Sequence, residues 1–360
     1  MVGAALSRVL TIVGARPQFI KAAPVSRALA ASGHEEVLLH TGQHYDANMS
    51  AVFFDELGLR PADHHLGIGS GKHGAQTAAM LAGIEAVIED LRPDHVVVYG
   101  DTNSTLAGAL AAAKLHTPIV HVEAGLRSFD RRMPEELNRV LVDHASTLLL
   151  APSDTAAGHL AAEGIVKGVH VVGDVMAQAL AETAERAQSR STILDALGLA
   201  AGDYLLVTVH RAENTDSPQR LLSILAALDV LPHPIVFPVH PRTAKALQAI
   251  DWPNRATRGR GRIHLIEPVG YLDMVRLQQG AHAILTDSGG VQKEAYWLGR
   301  PCITLRDNTE WTETVSAGWN TLVGADAVRI VRAVRELRIP LTRPALYGDR
   351  HAASRIAALL

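Results

Sequence analysis

Short runs of apolar residues alternate with stretches of helical periodicity through the first half of the chain. The apolar runs are rich in β-branched residues and short enough for buried strands; they lie at residues 8–13, 37–40, 95–99, 118–122, 147–150 and 169–172. Apolar residues recur every three or four positions at residues 21–31, 73–91, 103–115 and 135–144. Strands that alternate with helices in this way predict a doubly wound parallel sheet.

The second half of the chain repeats the scheme. Its apolar runs lie at residues 204–209, 235–239, 263–266, 283–286 and 303–305. Ser217 is a favourable N-cap and Pro218 suits the first helical position, so a helix is predicted to begin there. A polar, alanine-rich helical stretch at residues 174–202 separates the halves. The pattern therefore predicts an α/β protein with two Rossmann-like domains and a boundary near the start of this stretch.

Composition agrees with this architecture. A chain of 360 residues is long enough for about two domains of the usual size. Aromatic residues make up only 4%, which favours helices packed on buried parallel strands over a β-sandwich. No unbroken apolar run reaches the roughly 18 residues of a membrane span. Arg8 interrupts the apolar N-terminus, which we interpret as a tail leading into the first strand and not as a signal peptide.

Charge and cysteine content limit the ligands and binding partners that can be expected. The formal net charge of −3 leaves no strong basic field for a nucleic-acid backbone, so no nucleic acid is expected. An anionic ligand must be met by local cations and helix N-termini. Cys302 is the single cysteine, which excludes an intrachain disulfide and a cysteine-rich zinc site. The apolar neighbours of Cys302 favour a buried side chain. Because the chain can form no internal disulfide, a cytoplasmic location is the simplest expectation.

Polar residues directly after predicted strands are the candidates for chemistry, because ligands of open α/β sheets bind beyond the carboxyl ends of the strands. Arg16 and Lys21 bracket a helix start that could hold an anion, or they are two solvated cations. Asp101 could be a general base or could cap the next helix. Glu123 follows a buried strand, where a carboxylate is costly unless it is exposed to water, forms an ion pair or has a role in ligand binding or catalysis. Glu135 opens a helix, and interaction with the helix dipole is its structural alternative.

In the second half, two histidines each follow a strand and have an arginine close by. His210 precedes Arg211, and His240 lies two residues before Arg242. A single histidine is usually structural, whereas two such pairs at one sheet edge indicate phosphate binding.

A glycine turn follows the predicted strand at residues 283–286. The backbone N–H groups of Ser288, Gly289 and Gly290 could cradle a diphosphate at the start of a helix. Glu294 lies one to two turns into that helix, where it could accept hydrogen bonds from the two hydroxyls of a ribose.

The chain lacks the usual cofactor signatures. No G-x-G-x-x-G stands directly after a predicted strand, and there is no P-loop. No D-x-D pair is present to hold a metal on a nucleotide diphosphate, and no G-x-S-x-G elbow appears. The 18 histidines show no spacing typical of a metal site. Neither a cofactor nor a metal is predicted.

At these positions the chain resembles the non-hydrolysing UDP-N-acetylglucosamine 2-epimerases, from residue 9 to about residue 348. The resemblance rests on the runs GARPQFIKAAP, TGQHYDANMS, YGDTNSTLAGALAA, HVEAGLRS, MPEELNRVL, VHRAEN, PVHPR, LTDSGGVQKEA and RDNTEWTETV. It implies the glycosyltransferase-B fold, in which two Rossmann-like domains face a central cleft and the last helix returns to the first domain. The implied domains are residues 1–173 with a helix at about 345–360, and residues 174–344.

The resemblance also implies the roles of individual residues. The family's catalytic carboxylates fall on Asp101, Glu123 and Glu135, and its catalytic histidine falls on His210. Its ligand contacts fall on Arg16, Lys21, His240, Ser288, Gly289, Gly290 and Glu294. A UDP-sugar substrate, the absence of a cofactor and a homodimer are implied as well.

Two positions depart from the family pattern. Trp311 stands where many members have an arginine after a Thr-Glu pair, so one expected cation is missing. Members activated by their own substrate carry a glutamine three residues after the glutamine of the TGQH-like run. Asp46 occupies that position here, which argues against such activation.

The expected reaction is reversible C2 epimerisation of UDP-N-acetylglucosamine to UDP-N-acetylmannosamine. The C2–H bond is not acidic, so the route without a nicotinamide is anti elimination of UDP to 2-acetamidoglucal, followed by re-addition. The alternative substrate is UDP-2,3-diacetamido-2,3-dideoxy-glucuronate, whose carboxylate could be met by Arg127, Arg131, Arg132 or Arg211. A glycosyltransferase, a hydrolysing 2-epimerase or a catalytically silent nucleotide-sugar binding protein could also have this architecture.

Overall fold

The computed structural model describes residues 6–43, 57–252 and 262–360. Asp46 and most of the run TGQHYDANMS lie outside the described residues. The chain divides into two compact units, one of Met1–Ala181 with Tyr347–Leu360 and the other of Glu182–Leu346. The division falls within the helix Val175–Arg190, whereas the sequence suggests a boundary at its start.

The first unit is built on a parallel sheet with the strand order β3-β2-β1-β4-β5-β6-β7 among its described residues. The strands are β1 (Arg8–Val13), β2 (Glu35–His40), β3 (His64–His65), β4 (His95–Tyr99), β5 (Ile119–Val122), β6 (Leu148–Ala151) and β7 (Val169–Val171). The chain builds outward from β1 to β3 and then returns to β4 on the other side of β1. The topological switch point therefore lies between β1 and β4.

Helices connect these strands, and periodicity predicted all of them except the helix at residues 154–162. They are α1 (Arg16–Ala31), α2 (His73–Leu91), α3 (Asn103–Lys114), α4 (Pro134–Ala145), α5 (Asp154–Ala162) and α6 (Val175–Arg190). Helix α3 lies close to the sheet because small residues form much of it. A Cβ atom at Gly108 would lie 2.8 Å from Ile12 Cδ1 and 3.0 Å from Val98 Cγ1, so a larger residue would force these side chains to shift where α3 crosses β1 and β4.

The second unit has a parallel sheet with the order β10-β9-β8-β11-β12-β13 in the part of the chain that the structure describes. Its strands are β8 (Leu205–Thr208), β9 (Ile235–Pro238), β10 (Ile263–Ile266), β11 (Ala283–Thr286), β12 (Cys302–Thr304) and β13 (Asn320–Leu322). Its helices are α7 (Ile193–Ala196), α8 (Ala212–Thr215), α9 (Pro218–Val230), α10 (Pro241–Ala249), α11 (Tyr271–Gly280), α12 (Gly289–Trp297), α13 (Thr312–Ser316) and α14 (Ala327–Arg335). The switch point lies between β8 and β11.

Ser217 caps α9 by accepting a hydrogen bond from the N–H of Arg220, and Pro218 occupies the first turn, as predicted. The two-residue strand β3 was not predicted, because so short a segment carries no periodicity. Both parallel sheets confirm the predicted fold class.

The final helix, α15 (Ala352–Ala357), belongs to the first unit and packs on α1. His34 Nε2 lies 3.1 Å from the carbonyl oxygen of Ala357, and Ser7 Oγ donates to the carbonyl of Leu360 at 2.6 Å. Cys302 is buried on β12, and burial raises the pKa of its thiol to about 12, so it packs as a small apolar side chain. No helix of the described residues is both long and apolar enough to cross a membrane.

Candidate active site

The first group of candidate residues lies at the switch point between β1 and β4. Gln18, on the first turn of α1, links the two strand ends. Its side-chain oxygen accepts from the N–H groups of Gly14 and Ala15 at 2.8 and 3.0 Å, and its amide donates to the carbonyl of Tyr99 at 2.9 Å. Sequence reasoning did not single out Gln18, although its position three residues into a helix after a strand is typical of a capping side chain.

Lys21 and Glu123 form an ion pair with both side chains about nine-tenths buried. Lys21 comes from α1 and Glu123 from the residue after β5, so the fold brings together two candidates that are 102 positions apart. Gly100 makes room for them: a Cβ there would lie 3.2 Å from Lys21 Nζ and 3.3 Å from Glu123 Oε2. Glu123 itself has a positive φ of 76°, which is unusual for a residue with a side chain. An outlier of this kind is common at functional sites.

Asp101 does not cap the helix that follows it, because Thr102 takes that role for α3. Arg139 Nη2 of α4 instead donates to Asp101 Oδ2 at 2.5 Å, and Asn138 Nδ2 donates to the Asp101 carbonyl at 2.8 Å. The Asp101 side chain keeps 29% exposure, so it can still reach a ligand.

Two adjacent glutamates at the start of α4 have different environments. Glu136 is buried and accepts hydrogen bonds from the N–H groups of Ser128 and Phe129 at 2.8 and 2.9 Å, and from Arg139 at 2.9 Å. Burial alone would raise the pKa of Glu136, but these hydrogen bonds lower it below its ordinary value. Glu136 is therefore structural, whereas Glu135 is exposed on the same turn.

A network of ionic groups, buried except for Glu163 at its outer end, lies behind Asp101 and Glu123. His121 Nδ1 is 2.6 Å from Asp143 Oδ1, and His121 Nε2 is 2.8 Å from the carbonyl oxygen of Gly100. Arg127 donates to Asp143 Oδ2 at 2.7 Å and makes two hydrogen bonds to Glu163, at 2.7 and 2.8 Å. Arg127 was a candidate cation for a uronate, but these two carboxylates occupy its guanidinium.

The second group of candidates lies at the switch point between β8 and β11. The hydroxyl groups of Thr208 and Thr286, which end these strands, are 2.6 Å apart. Asp287 follows β11 directly, and His210 comes two residues after the end of β8. Asp287 is completely buried and accepts from the N–H of His210 at 3.0 Å, from the N–H of Arg211 at 3.0 Å and from Asn214 Nδ2 at 3.1 Å.

His210 and His240 are neighbours, with ring centroids 5.7 Å apart. Burial lowers the pKa of His210, and Arg211 adds to that effect against the opposing influence of Asp287. Burial and then Arg242 also lower the pKa of His240. His240 Nδ1 caps α10 by accepting from the N–H of Arg242 at 3.2 Å. The structure thus brings together the two histidines that the sequence singled out.

Ser288, Gly289 and Gly290 form the entry to α12. Gly290 is exposed, whereas Gly289 is buried beneath the loop after β12. A Cβ at Gly289 would lie 2.3 Å from Glu310 Oε1, so a larger residue there would displace the Glu310 side chain. The backbone N–H groups in the first turn of α12 have no acceptor within the helix. They point out of its N-terminal end, where they can bind an anion.

Glu294 is buried on α12 and has partners from α11. Gln278 Nε2 donates to Glu294 Oε2 at 2.6 Å, and the Tyr271 hydroxyl donates to Glu294 Oε1 at 3.3 Å. These donors fix the orientation of the carboxylate. An ionised carboxylate can accept about four hydrogen bonds, so this arrangement is compatible with a ribose contact.

Trp311, the departure noted in the sequence, packs against Lys293. The Lys293 ammonium lies 4.1 Å from the centroid of the Trp311 ring, which is a cation–π distance. A cation is therefore present beside Trp311, although it comes from α12 and not from the Thr-Glu-Trp run.

The remaining candidate, Arg16, lies in the first turn of α1 and is partly exposed. Among the described residues, no three histidine, cysteine, aspartate or glutamate side chains are placed to hold a metal ion. The first unit thus offers carboxylates with cationic partners, which suit proton transfer. The second unit offers two histidines, a helix N-terminus and an oriented glutamate, which suit a nucleotide diphosphate.

Comparison with known proteins shows what the chain is similar to. The model of the UDP-N-acetylglucosamine 2-epimerase family matches residues 27–360. A UDP-2,3-diacetamido-2,3-dideoxy-D-glucuronate 2-epimerase of Pseudomonas aeruginosa is 48% identical over 363 residues, covering 98% of this chain and 99% of the relative. A UDP-N-acetylglucosamine 2-epimerase of Methanocaldococcus jannaschii is 47% identical over 336 residues, covering 90% of each chain.

Solved structures give the same result. The crystal structure of the Methanocaldococcus jannaschii UDP-GlcNAc 2-epimerase in complex with UDP-GlcNAc and UDP has a TM-score of 0.87 at 43% identity, covering 98% of this chain and 99% of the other. A UDP-GlcNAc 2-epimerase from Neisseria meningitidis bound to UDP-GlcNAc has a TM-score of 0.88 at 32% identity, covering 98% and 99%.

Proposed function

The chain belongs to the UDP-N-acetylglucosamine 2-epimerase family, and from this premise we propose that it interconverts UDP-N-acetylglucosamine and UDP-N-acetylmannosamine. The observation that carries the proposal is the pairing of Glu123 with Lys21 at the carboxyl end of the first sheet, beside Asp101 and its partner Arg139. The cation beside each carboxylate favours the ionised form, in which the carboxylate can accept a proton as a base.

The proposed reaction is an anti elimination followed by re-addition. A carboxylate takes the proton from C2, the C2–H electron pair forms the C1=C2 double bond, and the C1–O bond breaks so that UDP leaves with its electron pair. In the second half, a phosphate oxygen attacks C1 while an acid protonates C2 on the opposite face. Atoms and charge balance without an oxidant, so the step requires only acids, bases and stabilisation of the departing diphosphate.

We assign Asp101, Glu123 and Glu135 to proton transfer and His210 to the departing diphosphate. The binding assignment comprises Arg16, Lys21, His240, Ser288, Gly289, Gly290 and Glu294. The oriented Glu294 carboxylate supports a contact with the ribose, and the two adjacent histidines support a contact with the phosphates.

Incubation with UDP-N-acetylglucosamine in D2O, followed by proton NMR, tests the proposal. We expect UDP-N-acetylmannosamine to form without added nicotinamide or metal, with deuterium entering at C2. Retention of protium at C2 during turnover would exclude the elimination route. Free N-acetylmannosamine as the product would instead indicate a hydrolysing enzyme.

A second candidate substrate is UDP-2,3-diacetamido-2,3-dideoxy-glucuronate, because the relative from Pseudomonas aeruginosa named for it aligns with nearly the whole chain. Its carboxylate needs a cation. Of the four candidate arginines, Arg127 is occupied by Asp143 and Glu163, and Arg132 pairs with Asp130. Only Arg127 is held in a buried pair, and the neutral sugar stays the first choice because it needs no such cation.

A further inference from the structure

The ring of His121 contacts two oxygen atoms, and both are hydrogen-bond acceptors. His121 lies on β5 and is completely buried. Its Nε2 is 2.8 Å from the carbonyl oxygen of Gly100, and its Nδ1 is 2.6 Å from Asp143 Oδ1. A backbone carbonyl can only accept, so Nε2 must carry a proton.

The protonation state of Asp143 determines whether His121 Nδ1 carries a proton. Asp143 Oδ2 accepts from Arg127 Nη1 at 2.7 Å and from the N–H of Gly125 at 3.1 Å. The cationic Arg127 and the N–H of Gly125 favour the ionised carboxylate whatever the state of His121. Asp143 is therefore ionised and can only accept, so His121 Nδ1 also carries a proton and the ring is an imidazolium.

The charges of this network, which is buried except for Glu163, balance. His121 and Arg127 supply two positive charges, and Asp143 and Glu163 supply two negative ones. A buried cation is costly unless paired charges and hydrogen bonds compensate it, and here both ring nitrogens and both oxygens of Asp143 are engaged.

The imidazolium acts on the peptide that leads into Asp101. The Gly100 carbonyl belongs to the Gly100–Asp101 peptide, and Gly100 has a φ of +64° in the turn that accommodates Lys21 and Glu123. We propose that His121 is a positioning residue, an imidazolium that fixes this peptide and thereby the geometry of proton transfer at Asp101 and Glu123. The proposal rests on the function proposed above in assigning proton transfer to these carboxylates.

The protonation state can be measured on the unaltered protein without substrate. In a ¹⁵N NMR spectrum of histidine-labelled protein, we expect both ring nitrogens of His121 to be protonated. The spectra of His121→Asn and His121→Gln lack the His121 resonances, and this absence identifies them. An unprotonated ring nitrogen would overturn the proposal, whatever the activity assay shows.

Two variants test the two hydrogen bonds of the His121 ring separately. The His121→Gln amide can reach the position of Nε2 and donate to the Gly100 carbonyl, whereas the shorter His121→Asn amide reaches the position of Nδ1 and donates only to Asp143. We expect His121→Asn to shift the Asp101 backbone amide resonance and to lower kcat about 100-fold with little change in KM. His121→Gln should retain the amide resonance and most of kcat.

Equal effects of the two variants on the Asp101 resonance and on kcat would show that His121 serves only the fold. If one variant fails to fold, the other still assigns the His121 resonances, and the ring-nitrogen spectrum of the unaltered protein decides. If the D2O experiment shows no epimerisation, the proposed function fails, while the ring-nitrogen and Asp101 resonances still test the positioning of this peptide.

Discussion

The buried carboxylate of Asp287 lies 3.3 Å from His210 Nδ1 and also accepts the backbone N–H of His210. The ring therefore has one nitrogen facing an anion, while the side chain as a whole keeps 36% exposure. Burial nevertheless lowers the pKa of His210 below its ordinary value of 6.5, and the neighbouring Arg211, His240 and Arg242 act in the same direction. Without a ligand, His210 is thus neutral at pH 7, and a bound diphosphate would favour its protonation.

We therefore predict that UDP binding takes up protons near neutral pH. The diphosphate raises the pKa of His210, so the imidazolium form is preferred in the complex. The attraction between the imidazolium and the diphosphate contributes to affinity, and this contribution decreases as pH rises through the pKa of His210 in the complex. Calorimetry in two buffers with different ionisation enthalpies measures the uptake. His210→Asn should reduce it, and His351→Asn, at an exposed position of the first unit, is the control. Unchanged uptake in His210→Asn would contradict the prediction.

The three assigned carboxylates should each be needed for turnover. We predict that Asp101→Asn, Glu123→Gln and Glu135→Gln each lower kcat by about 10²–10⁴-fold, the usual effect of losing a general acid or base. Circular dichroism and thermal unfolding should show an intact fold. Rates like those of the unaltered protein in all three variants would refute the assignment.

Asp154→Asn provides a matched control for Glu135. Both residues are exposed acids in the first turn of a helix, where a negative charge contributes about 0.3–1 kcal/mol through the helix dipole. If Glu135 serves only its helix, the two variants should show the same small loss of stability and no loss of kcat. A large loss of kcat confined to Glu135→Gln supports the catalytic assignment.

The sequence predicted where these candidates occur along the chain but not which side chains they contact. Residues that follow a parallel strand must lie at the carboxyl edge of its sheet, which is why Asp101 and His210 could be found from strand patterns alone. The partner of His210 is Asp287, from a strand that is adjacent only because β8 and β11 flank the switch point. Strand order is a tertiary property, and local periodicity does not encode it.

The charged residues show the same limit. Arg127 could be interpreted from sequence as a free cation, but Asp143 and Glu163 neutralise it across separations of 16 and 36 residues. His121 was part of a recognised motif without a role of its own, because its partner Gly100 comes from the neighbouring strand β4. Burial and pairing between distant segments decide such roles.

Acidification should destabilise the protein through His40. This residue is buried on β2, and burial, followed by the nearby His65, lowers the pKa of His40 from 6.5 to about 4. Between these pH values the unfolded chain binds a proton that the folded protein does not, so the free energy of unfolding falls as pH falls from 6.5 towards 4. Below that range this residue causes no further loss.

Thermal unfolding as a function of pH measures the effect. His40→Gln should flatten the dependence of Tm on pH between 4 and 6.5, because no titrating group remains at this position. His116→Asn, at an exposed position of the same unit whose positive φ of 57° asparagine tolerates, should leave the slope unchanged. Parallel curves for His40→Gln and the unaltered protein would show that His40 is not responsible.

Glu294 should affect binding more than chemistry. A ribose contact is made equally in the ground state and the transition state, so its loss raises KM with little change in kcat. We predict this pattern for Glu294→Ala, together with weaker UDP binding by calorimetry. Glu336→Ala, at an exposed position directly after α14, is the control. Unchanged UDP affinity in Glu294→Ala would remove the assignment of Glu294 to the ribose.

The last prediction concerns the choice of sugar. The uronate carries a carboxylate that must be matched by a cation when it leaves water, and a site without one rejects it strongly. Arg127 and Arg132 have carboxylate partners, which leaves Arg131 and Arg211 among the four candidate arginines. We therefore predict that kcat/KM for UDP-N-acetylglucosamine exceeds that for UDP-2,3-diacetamido-2,3-dideoxy-glucuronate by about 100-fold or more.

Side-by-side assays of the two purified substrates measure this ratio, with UDP affinity as the common reference. If the uronate is preferred, Arg211→Leu should reverse the preference more than Arg131→Leu, because Arg211 lies beside His210 at the switch point of the second sheet. That result would replace the substrate while retaining the elimination chemistry, since both sugars carry the same hydrogen at C2 and the same leaving group at C1. A preference for UDP-N-acetylglucosamine that survives both substitutions would support a site that requires no cation for the sugar.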